Sequence, residues 1–531
     1  MHHETIPFRD TGFFSQLNID YIDRSPKLAP FYTYSPDLDG LKQSMEDLSK
    51  LEIDRETLVS ELRSDYSRNG IDRELSSALI DKFKAESTFA VVTAHQPCLF
   101  TGPLYFIIKI AATINLARRL ELEFPDKDFI PVYWLGGEDH DFEEISIAHV
   151  YNKDLNWVNE KASGPVGRLP IEGLKESIEH LSEILGSDEK AQSLISKISN
   201  AYLNSNTYGE ATFKLVDEIF GEEGLVIVSA DNKAFKANYS DVIREELFGT
   251  ASGDLIKDQM EALENEYHNQ AFARQVNLFY MEDGRRERIE RDGEDFLLVD
   301  SKTKLSSSEM EDLIENRPEV FSPNVILRPA YQQRTLPAIA FIGGGSEIAY
   351  WMQLKPIFQK FKIHFPALFL RNSALFIDAN SEKKMAQTNI DIPDLFTDTE
   401  ALKKEFVQKN SGDEVNLGFA KAEINKLFGS IQEQGKSIDP SLKGSISAEL
   451  QKAMKSIGVL EGKFIRAGKK KLEVDTNKIQ AVKDKLFPKG KLQERYDNFI
   501  PIYLRTNGEI IQHFISALDP LEPGLVVFVE D

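Results

Sequence analysis

The chemistry in this chain concentrates at Glu138-Asp139-His140-Asp141-Phe142-Glu143-Glu144, where five carboxylates and an imidazole occupy seven consecutive positions. Such a set can do three things. A carboxylate crowded by others or by burial has its pKa raised and serves as a general base; carboxylates can hold Mg²⁺ beside a nucleotide; an acidic cluster can bind ammonium groups. Ammonium binding and base catalysis rank first, with Glu138, Asp139, His140 and Asp141 as candidate catalytic residues. A zinc site ranks lower, because His140 has no nearby second His or Cys at ligand spacing, although His149 nine residues on stays a candidate. No metal ligand is assigned. A solvated acidic turn is the plain alternative, weakened by what precedes the cluster: the apolar run Ile130-Pro131-Val132-Tyr133-Trp134-Leu135 and then Gly136-Gly137.

A second junction has the same form. The run Phe89-Ala90-Val91-Val92-Thr93 opens into Ala94-His95-Gln96-Pro97-Cys98-Leu99-Phe100-Thr101-Gly102-Pro103, and a helical pattern follows with Pro103 expected in its first turn. Strand, polar loop and helix make the half-unit of an open α/β sheet, whose ligands bind beyond the carboxyl ends of the strands. His95 is a candidate for binding phosphate or carboxylate, with a capping or core role as the alternative. A third junction runs from the strand Ala338–Ile342 through Gly343-Gly344-Gly345-Ser346-Glu347 into a helix expected over Ile348–Phe358. Backbone N–H groups there offer an anion cradle, though a tight turn explains the glycines equally well. Arg328, read as a strand end before Pro329, is a candidate partner for phosphate or carboxylate, with a surface salt bridge as the alternative.

Composition bounds the rest. The 531 residues are 41% hydrophobic, enough for a large core and more than one domain. A formal charge of −23 disfavours nucleic acid and anionic membranes as bulk partners, since the mean field repels phosphate. One cysteine excludes an intrachain disulfide framework and fits a reducing compartment. The apolar stretch from Leu104 to Ala117 is interrupted by Lys109 and is too short to span a bilayer. We expect a cytoplasmic protein.

Two helical stretches are expected around Leu41–Leu62 and Glu74–Phe83, in a segment that wraps the core. Two or three amphipathic helices, over Ile171–Leu185, Ala191–Leu203 and Thr212–Phe220, read as one insertion over the sheet. Alternating segments at Val276–Tyr280 and Phe296–Val299, separated by Asp283-Gly284 and Asp292-Gly293, predict short antiparallel strands in a second. Farther on, Ala420, Ile424, Leu427 and Ile431 recur at four-three-four spacing, and Ile446, Leu450, Ala453, Ile457, Leu460 and Phe464 continue that rhythm. With Asp439-Pro440 between them, the two stretches predict an antiparallel coiled-coil hairpin. Its apolar stripe calls for a partner, and we expect a homodimer contact; packing on its own body is the alternative.

The Gln96-to-Lys109 segment with Leu99-Phe100-Thr101-Gly102-Pro103, the run Gly137 to Ile145, Leu327-Arg328-Pro329 with Gln332, and Gly343-Gly344 through Glu347 to Trp351 and Gln353-Leu354-Lys355-Pro356 resemble the bacillithiol-biosynthesis cysteine-adding enzymes, as does Leu492-Gln493-Glu494-Arg495. The resemblance covers essentially the whole chain in order. It implies addition of L-cysteine to glucosaminyl-malate with formation of an amide, on an α/β fold: a Rossmann-like parallel-sheet core with two connecting-peptide insertions and an antiparallel α-helical coiled-coil domain. The implied divisions are a wrapping segment at 1–88, core at 89–160, a helical insertion at 161–222, a core strand within 223–239, a second insertion at 240–317, core again at 318–390, the dimerising coiled coil at 391–490 and a C-terminal segment at 491–531. Substrate- or nucleotide-binding residues by the same token are His95, Gln96, Thr101, Gly102, Arg328, Gln332, Gly343, Gly344, Gly345, Ser346, Glu347 and Trp351. The chain departs from the family in reading Ala94-His95-Gln96 where many members have Gly-Gln-Gln, and Pro97-Cys98 where Ala-Gly is common. Cys98 is therefore read as a passive loop residue.

A free carboxylate is a poor acyl donor, so the cysteine carboxyl needs activation as an acyl-adenylate or acyl-phosphate. The cofactor is open, with ATP and Mg²⁺ as the candidate. There is no Gly-x-x-x-x-Gly-Lys-Ser/Thr loop. Lys304-Leu305-Ser306-Ser307-Ser308 is superficially similar to the lysine-serine loop of class I aminoacyl-tRNA synthetases but reads more simply as a helix N-cap. The shared architecture keeps an adenylate ahead of an acyl phosphate. A synthetase-like nucleotidyltransferase acting on another carboxylic acid, and a non-catalytic dimeric scaffold, are the rival readings.

Overall fold

The structure, a computed structural model, describes residues 1–268, 271–282, 284–410 and 417–530. Asp283 of the expected Asp283-Gly284 turn, residues 411–416 of the expected coiled-coil domain and Asp531 lie outside the described residues. The chain divides into two compact units, one of residues 3–375 with 493–527, the other of residues 1–2, 376–492 and 528–531.

The larger unit is built on a parallel sheet of five strands: β1 (Thr88–His95), β2 (Asp128–Leu135), β3 (Val226–Ser229), β4 (Ala338–Gly343) and β5 (Ala367–Leu370), in the order β5-β4-β1-β2-β3. Phe89, Ala90, Val91 and Val92 are buried on both faces of β1, which is why these strands read as unbroken apolar runs rather than alternations. Helix α1 (Tyr105–Glu123) covers β1 and β2 with Phe106, Ile107, Ile108 and Ile110. The chain runs outward from β1 through β2 to β3, then returns to place β4 on the other side of β1. The strand order therefore reverses between β1 and β4, and the crevice beyond their carboxyl ends is where such a sheet binds its ligands.

The insertions follow the expected pattern with corrections. Helices Leu174–Leu185, Glu189–Leu203 and Tyr208–Phe220 match the first. The second supplies four strands of a five-stranded antiparallel sheet, among them Leu278–Glu282, Arg285–Asp292 and Asp295–Leu298, and the fifth, Phe321–Pro323, follows it. Arg285–Asp292 is almost wholly charged and shows no apolar alternation in sequence, yet its Glu287 and Ile289 point inward and Glu287 accepts from the amides of Asp300 and Ser301. Ser306 caps helix Ser307–Asn316 through a reciprocal box with Glu309, as expected.

Three local readings are overturned. Leu41–Leu62 is two helices, Leu38–Leu48 and Arg55–Arg68, because Asp54 accepts from the Thr57 amide and starts a new one. Arg328 is not at a strand end: the strand is Phe321–Pro323, and Arg328 opens helix α2 (Arg328–Thr335), whose first turn accommodates Pro329. Ile348–Phe358 is interrupted; helix α3 (Gly345–Trp351) ends before Pro356 and a separate helix, Lys355–Phe361, follows.

His364 supplies a test of this core. It is 5% exposed, its Nε2 lies 2.8 Å from Ser44 Oγ, and burial lowers its pKa from 6.5 to about 4. The unfolded chain binds that proton first, so the stability is complete above pH 6.5 and is lost as pH falls towards 4, by roughly 3 kcal/mol for the one group. In His364→Gln, the slope of unfolding free energy against pH in that window should fall by about one proton's worth, ~1.4 kcal/mol per pH unit; an unchanged slope in denaturant titrations would refute the assignment.

In the second unit, helices Gly418–Ile438 and Leu442–Lys471 form the expected antiparallel hairpin, turned at Asp439-Pro440. Lys421 and Glu461 pair across it at 2.7 Å, and Gly435 admits Ile446 so closely that a Cβ there would lie 2.7 Å from Ile446 Cδ1. Ile424, Ile446, Leu450 and Ile457 are partly covered, while Leu427, Ile431, Leu460 and Phe464 remain exposed. Among the described residues no helix is long and apolar enough to cross a membrane.

Candidate active site

All five strands of the parallel sheet deliver residues to one pocket of about 550 Å³ in the larger unit: His95 at the end of β1 and Gln96 after it, Gly136 and Glu138 after β2, Ala230 after β3, Gly344 to Glu347 after β4, and Arg371 after β5. Other segments complete the wall with Tyr105, Lys109, Arg286, Arg328, Tyr350 and Arg495.

Its charged residues fall into two groups. In the first, Glu138 is 6% exposed; its Oε1 pairs with Lys236 Nζ and its Oε2 accepts from Ser322 Oγ at 3.3 Å. Burial pushes the Glu138 carboxyl above the usual carboxylate range, against the pull of Lys236 and Arg286. Ser322 Oγ also accepts from Arg286 Nε at 3.1 Å, and the Arg286 guanidinium lies 3.8 Å over the Phe279 ring. Asp139 stands 3.6 Å from Arg286, and its hydrogen bonding with His140, outweighing burial and joined by Arg286, lowers its pKa to about 2.

The second group is cationic. Lys109, 2% exposed, donates to the Ala94 carbonyl at 2.6 Å and to Glu347 Oε2 at 2.7 Å. Burial lowers its pKa and Glu347 opposes that; burial raises Glu347, but Lys109 and the Gly344 amide reverse the sign and leave it lowered. Arg371 is clamped by both oxygens of Glu494, at 3.0 and 2.7 Å, and sits 5.5 Å over the Tyr105 ring. Arg328 donates to Gln332 Oε1 at 3.4 Å and to the Tyr350 hydroxyl. Among the described residues neither Arg328 nor Arg495 has a carboxylate partner within salt-bridge distance, and Arg495 is exposed beside Arg371 and Tyr105. Guanidinium groups gathered without matching carboxylates present a site for an anion.

His95 is the last residue of β1, its ring against Tyr105 and Phe106 of α1. The Gln96 carbonyl, 2.8 Å from Nδ1, can only accept, so the proton sits on Nδ1 and Nε2 accepts from Tyr105 Oη at 3.2 Å. Burial, with Lys109 adding to it, lowers this imidazole to about 4, so it is a neutral acceptor at physiological pH. Cys98 Sγ is 3.9 Å from Nδ1, and burial pushes that thiol up, away from the thiolate a nucleophile needs.

The sequence candidates divide accordingly. Glu138, Asp139, His95, Gln96, Arg328, Gly344, Gly345, Ser346 and Glu347 line the pocket. His140 does not; its Nδ1 lies 3.0 Å from the Arg286 guanidinium and 3.4 Å from the Asp139 carboxylate, between the two. Asp141 caps the short helix Phe142–Ile145 through the Glu144 amide. Thr101 and Gly102 lie in a left-handed turn, φ 70° and 65°, with Asn498 donating to the Gly102 carbonyl at 2.6 Å. Gln332 orients Arg328 from behind, Gly343 ends β4 with its carbonyl on the Arg371 amide, and Trp351 is packed on Phe341. The Gly344 amide, expected to face an anion, donates to Glu347 Oε2 at 2.8 Å.

Lys236, Arg286, Arg371, Tyr105, Tyr350 and Glu144 were not singled out from sequence. Lys109 carried a signal, a lone charge within an apolar helical run, and Arg371 directly follows an apolar strand. Lys236 and Arg286 carried none, since they enter from other segments.

Family models described as "Bacillithiol biosynthesis BshC, N-terminal Rossmann-like domain" and "Bacillithiol biosynthesis BshC, C-terminal coiled-coil domain" match residues 1–372 and 374–528. Relatives named "Putative cysteine ligase BshC" from Flavobacterium johnsoniae and Flavobacterium psychrophilum are 36% and 35% identical over 524 residues, covering 98% of this chain and 98% of each relative. The protein of the same name from Cytophaga hutchinsonii is 33% identical over 518 residues, 97% of each chain.

Proposed function

The chain belongs to the bacillithiol-biosynthesis BshC family, and from that premise we propose that it is a ligase joining the carboxyl of L-cysteine to the amine of glucosaminyl-malate. The observation that carries this reading is one pocket with two charge characters. Glu138, Asp139 and Glu144 meet the needs of an amine that arrives as ammonium; Arg328, Arg371 and Arg495, with Tyr105, meet those of the malate carboxylates.

Amide formation from a free carboxylate at neutral pH requires an activated acyl group. In our reading a cysteine carboxylate oxygen attacks the α-phosphorus of ATP and displaces pyrophosphate. Glu138 takes a proton from the sugar ammonium, the freed amine attacks the acyl carbon, and the second nitrogen proton leaves with AMP as the acyl–phosphate C–O bond breaks. Glu138, Asp139 and Glu347 are each engaged by a cation, from Lys236, Arg286 and Lys109. They do not fit a dedicated magnesium site, and Mg²⁺ would enter on the nucleotide phosphates. A cytoplasmic setting belongs to the same reading.

The test is mass spectrometry of purified protein with cysteine and glucosaminyl-malate, with and without ATP and Mg²⁺. Bacillithiol formed with release of AMP is the expected result. ADP release would replace the adenylate by an acyl phosphate, and turnover of ATP with another acid but not cysteine would sink the reading in favour of a different synthetase. We also propose a homodimer through the hairpin's exposed stripe. Leu427→Asp with Leu460→Asp should halve the mass measured by light scattering; a wild-type monomer would remove this part of the proposal.

A further inference from the structure

Behind Glu138 lies a lysine to which the ligation chemistry gives no direct task. Lys236 sits in the short helix Lys233–Ala237 that follows β3 and is 1% exposed. An ammonium so deeply buried is costly unless its hydrogens are matched to acceptors. Its Nζ pairs with Glu138 Oε1, donates to the Glu319 carbonyl at 3.2 Å and stands 3.5 Å from Asp231 Oδ1. Asp231 is already gripped by Arg168, through Nε at 2.6 Å and a second nitrogen at 2.8 Å. Glu138 is thus the carboxylate that Lys236 holds most closely. With Ser322 on its other oxygen, Glu138 is fixed from behind while its side chain borders the pocket.

We propose that Lys236 is a positioning residue of the ligation site, holding the Glu138 carboxylate ionised and aimed at the amine of the incoming substrate. The inference rests on the reading of Glu138 as the amine's partner. The groups facing Glu138 are Lys236 and Asp231 from the segment after β3, Arg286 from the antiparallel sheet, Arg168 from the first insertion, Tyr331 from α2, and the neighbouring Asp139. Burial disfavours the ionised form, Asp231 adds to that, and Lys236 is the largest opposing influence. Without Lys236, Arg286 and the more distant Arg168 are left to oppose burial, and Glu138 keeps its proton to a higher pH.

Calorimetric titration with glucosaminyl-malate and with its N-acetylated counterpart separates this role from a merely structural one. Wild type should prefer the free amine by about tenfold or more at neutral pH, as a charge-assisted contact would give. In Lys236→Met the pH below which that preference disappears should rise by about one unit or more. In a Glu138→Gln background, adding Lys236→Met should change nothing further, because the two act through one group. That comparison also serves if Lys236→Met alone does not fold, since the doubly substituted site carries no unpaired buried charge of this pair. A Lys236→Met protein with the wild-type preference at every pH, or an equal loss of affinity with and without Glu138, would overturn the proposal. A wild type that binds both ligands alike would instead overturn the reading of Glu138 on which it rests.

Discussion

Glu494→Ala is expected to cost about 3–5 kcal/mol of folding stability, the loss that follows when one partner of a buried ion pair is removed and the other is stranded. Glu494 is fully buried and Arg371 is 4% exposed. Beyond the two bonds from Arg371, Glu494 accepts from Ser373 Oγ at 3.1 Å and the Ala374 amide at 2.9 Å. Its loss leaves Arg371 uncompensated with Lys109 and Arg495 among its neighbouring cations. Surface pairs such as Lys452–Glu449 should by contrast contribute under about 1 kcal/mol, because water screens them. Guanidinium denaturation followed by tryptophan emission reads the effect, since Trp134, Trp157 and Trp351 are buried in the same unit. Glu494→Leu combined with Arg371→Met should recover most of the loss. A cost below about 1 kcal/mol for the single change would mean that the clamp is not what holds Arg371 at the pocket wall.

Glu138→Gln is expected to lower kcat/KM for ligation by about 10²–10³-fold, or roughly 3–4 kcal/mol of transition-state stabilisation. The shape of the pH profile is more diagnostic than the size of the loss. Asp139 has its pKa lowered to about 2 and is ionised throughout the accessible range, so it cannot produce an acid limb. Glu138, raised by burial, can. Activity should therefore fall on the acid side as Glu138 gains its proton, in wild type and in Asp139→Asn alike, and that limb should vanish from the residual activity of Glu138→Gln. Persistence of the limb in Glu138→Gln would move the base to another group; Asp139→Asn, half-exposed and screened, should cost less than Glu138→Gln in either case.

The elements that carry a repeating signal were legible in the sequence. Unbroken apolar runs bounded by glycine and polar loops marked β1, β2 and β4, and the four-three rhythm around Asp439-Pro440 marked the helical hairpin. Where a single proline had to be interpreted, the reading failed: Pro329 opens α2 rather than following a strand, and Pro356 belongs to a new helix rather than to the continuation of α3. The glycine turn after β4 carries a second signal, a glutamate placed to close it. Glu347 stands at the third helical position after Gly344, from which a glutamate reaches back to the N-cap amide, and it takes the Gly344 amide that an anion was expected to occupy.

By itself, then, the sequence determined the strand-loop-helix junctions, the acidic run at Glu138 and the family to which the chain belongs, because these are written in consecutive residues. Only the tertiary structure decided which charges face each other. Glu138 meets Lys236 and Arg286, Lys109 meets Glu347 and Arg371 meets Glu494, across separations of about one hundred residues or more in most cases. The physical reason is that a charge's protonation and its usefulness depend on burial and on partners a few ångströms away. Those distances are set by packing between segments remote in the chain, and no local pattern encodes them.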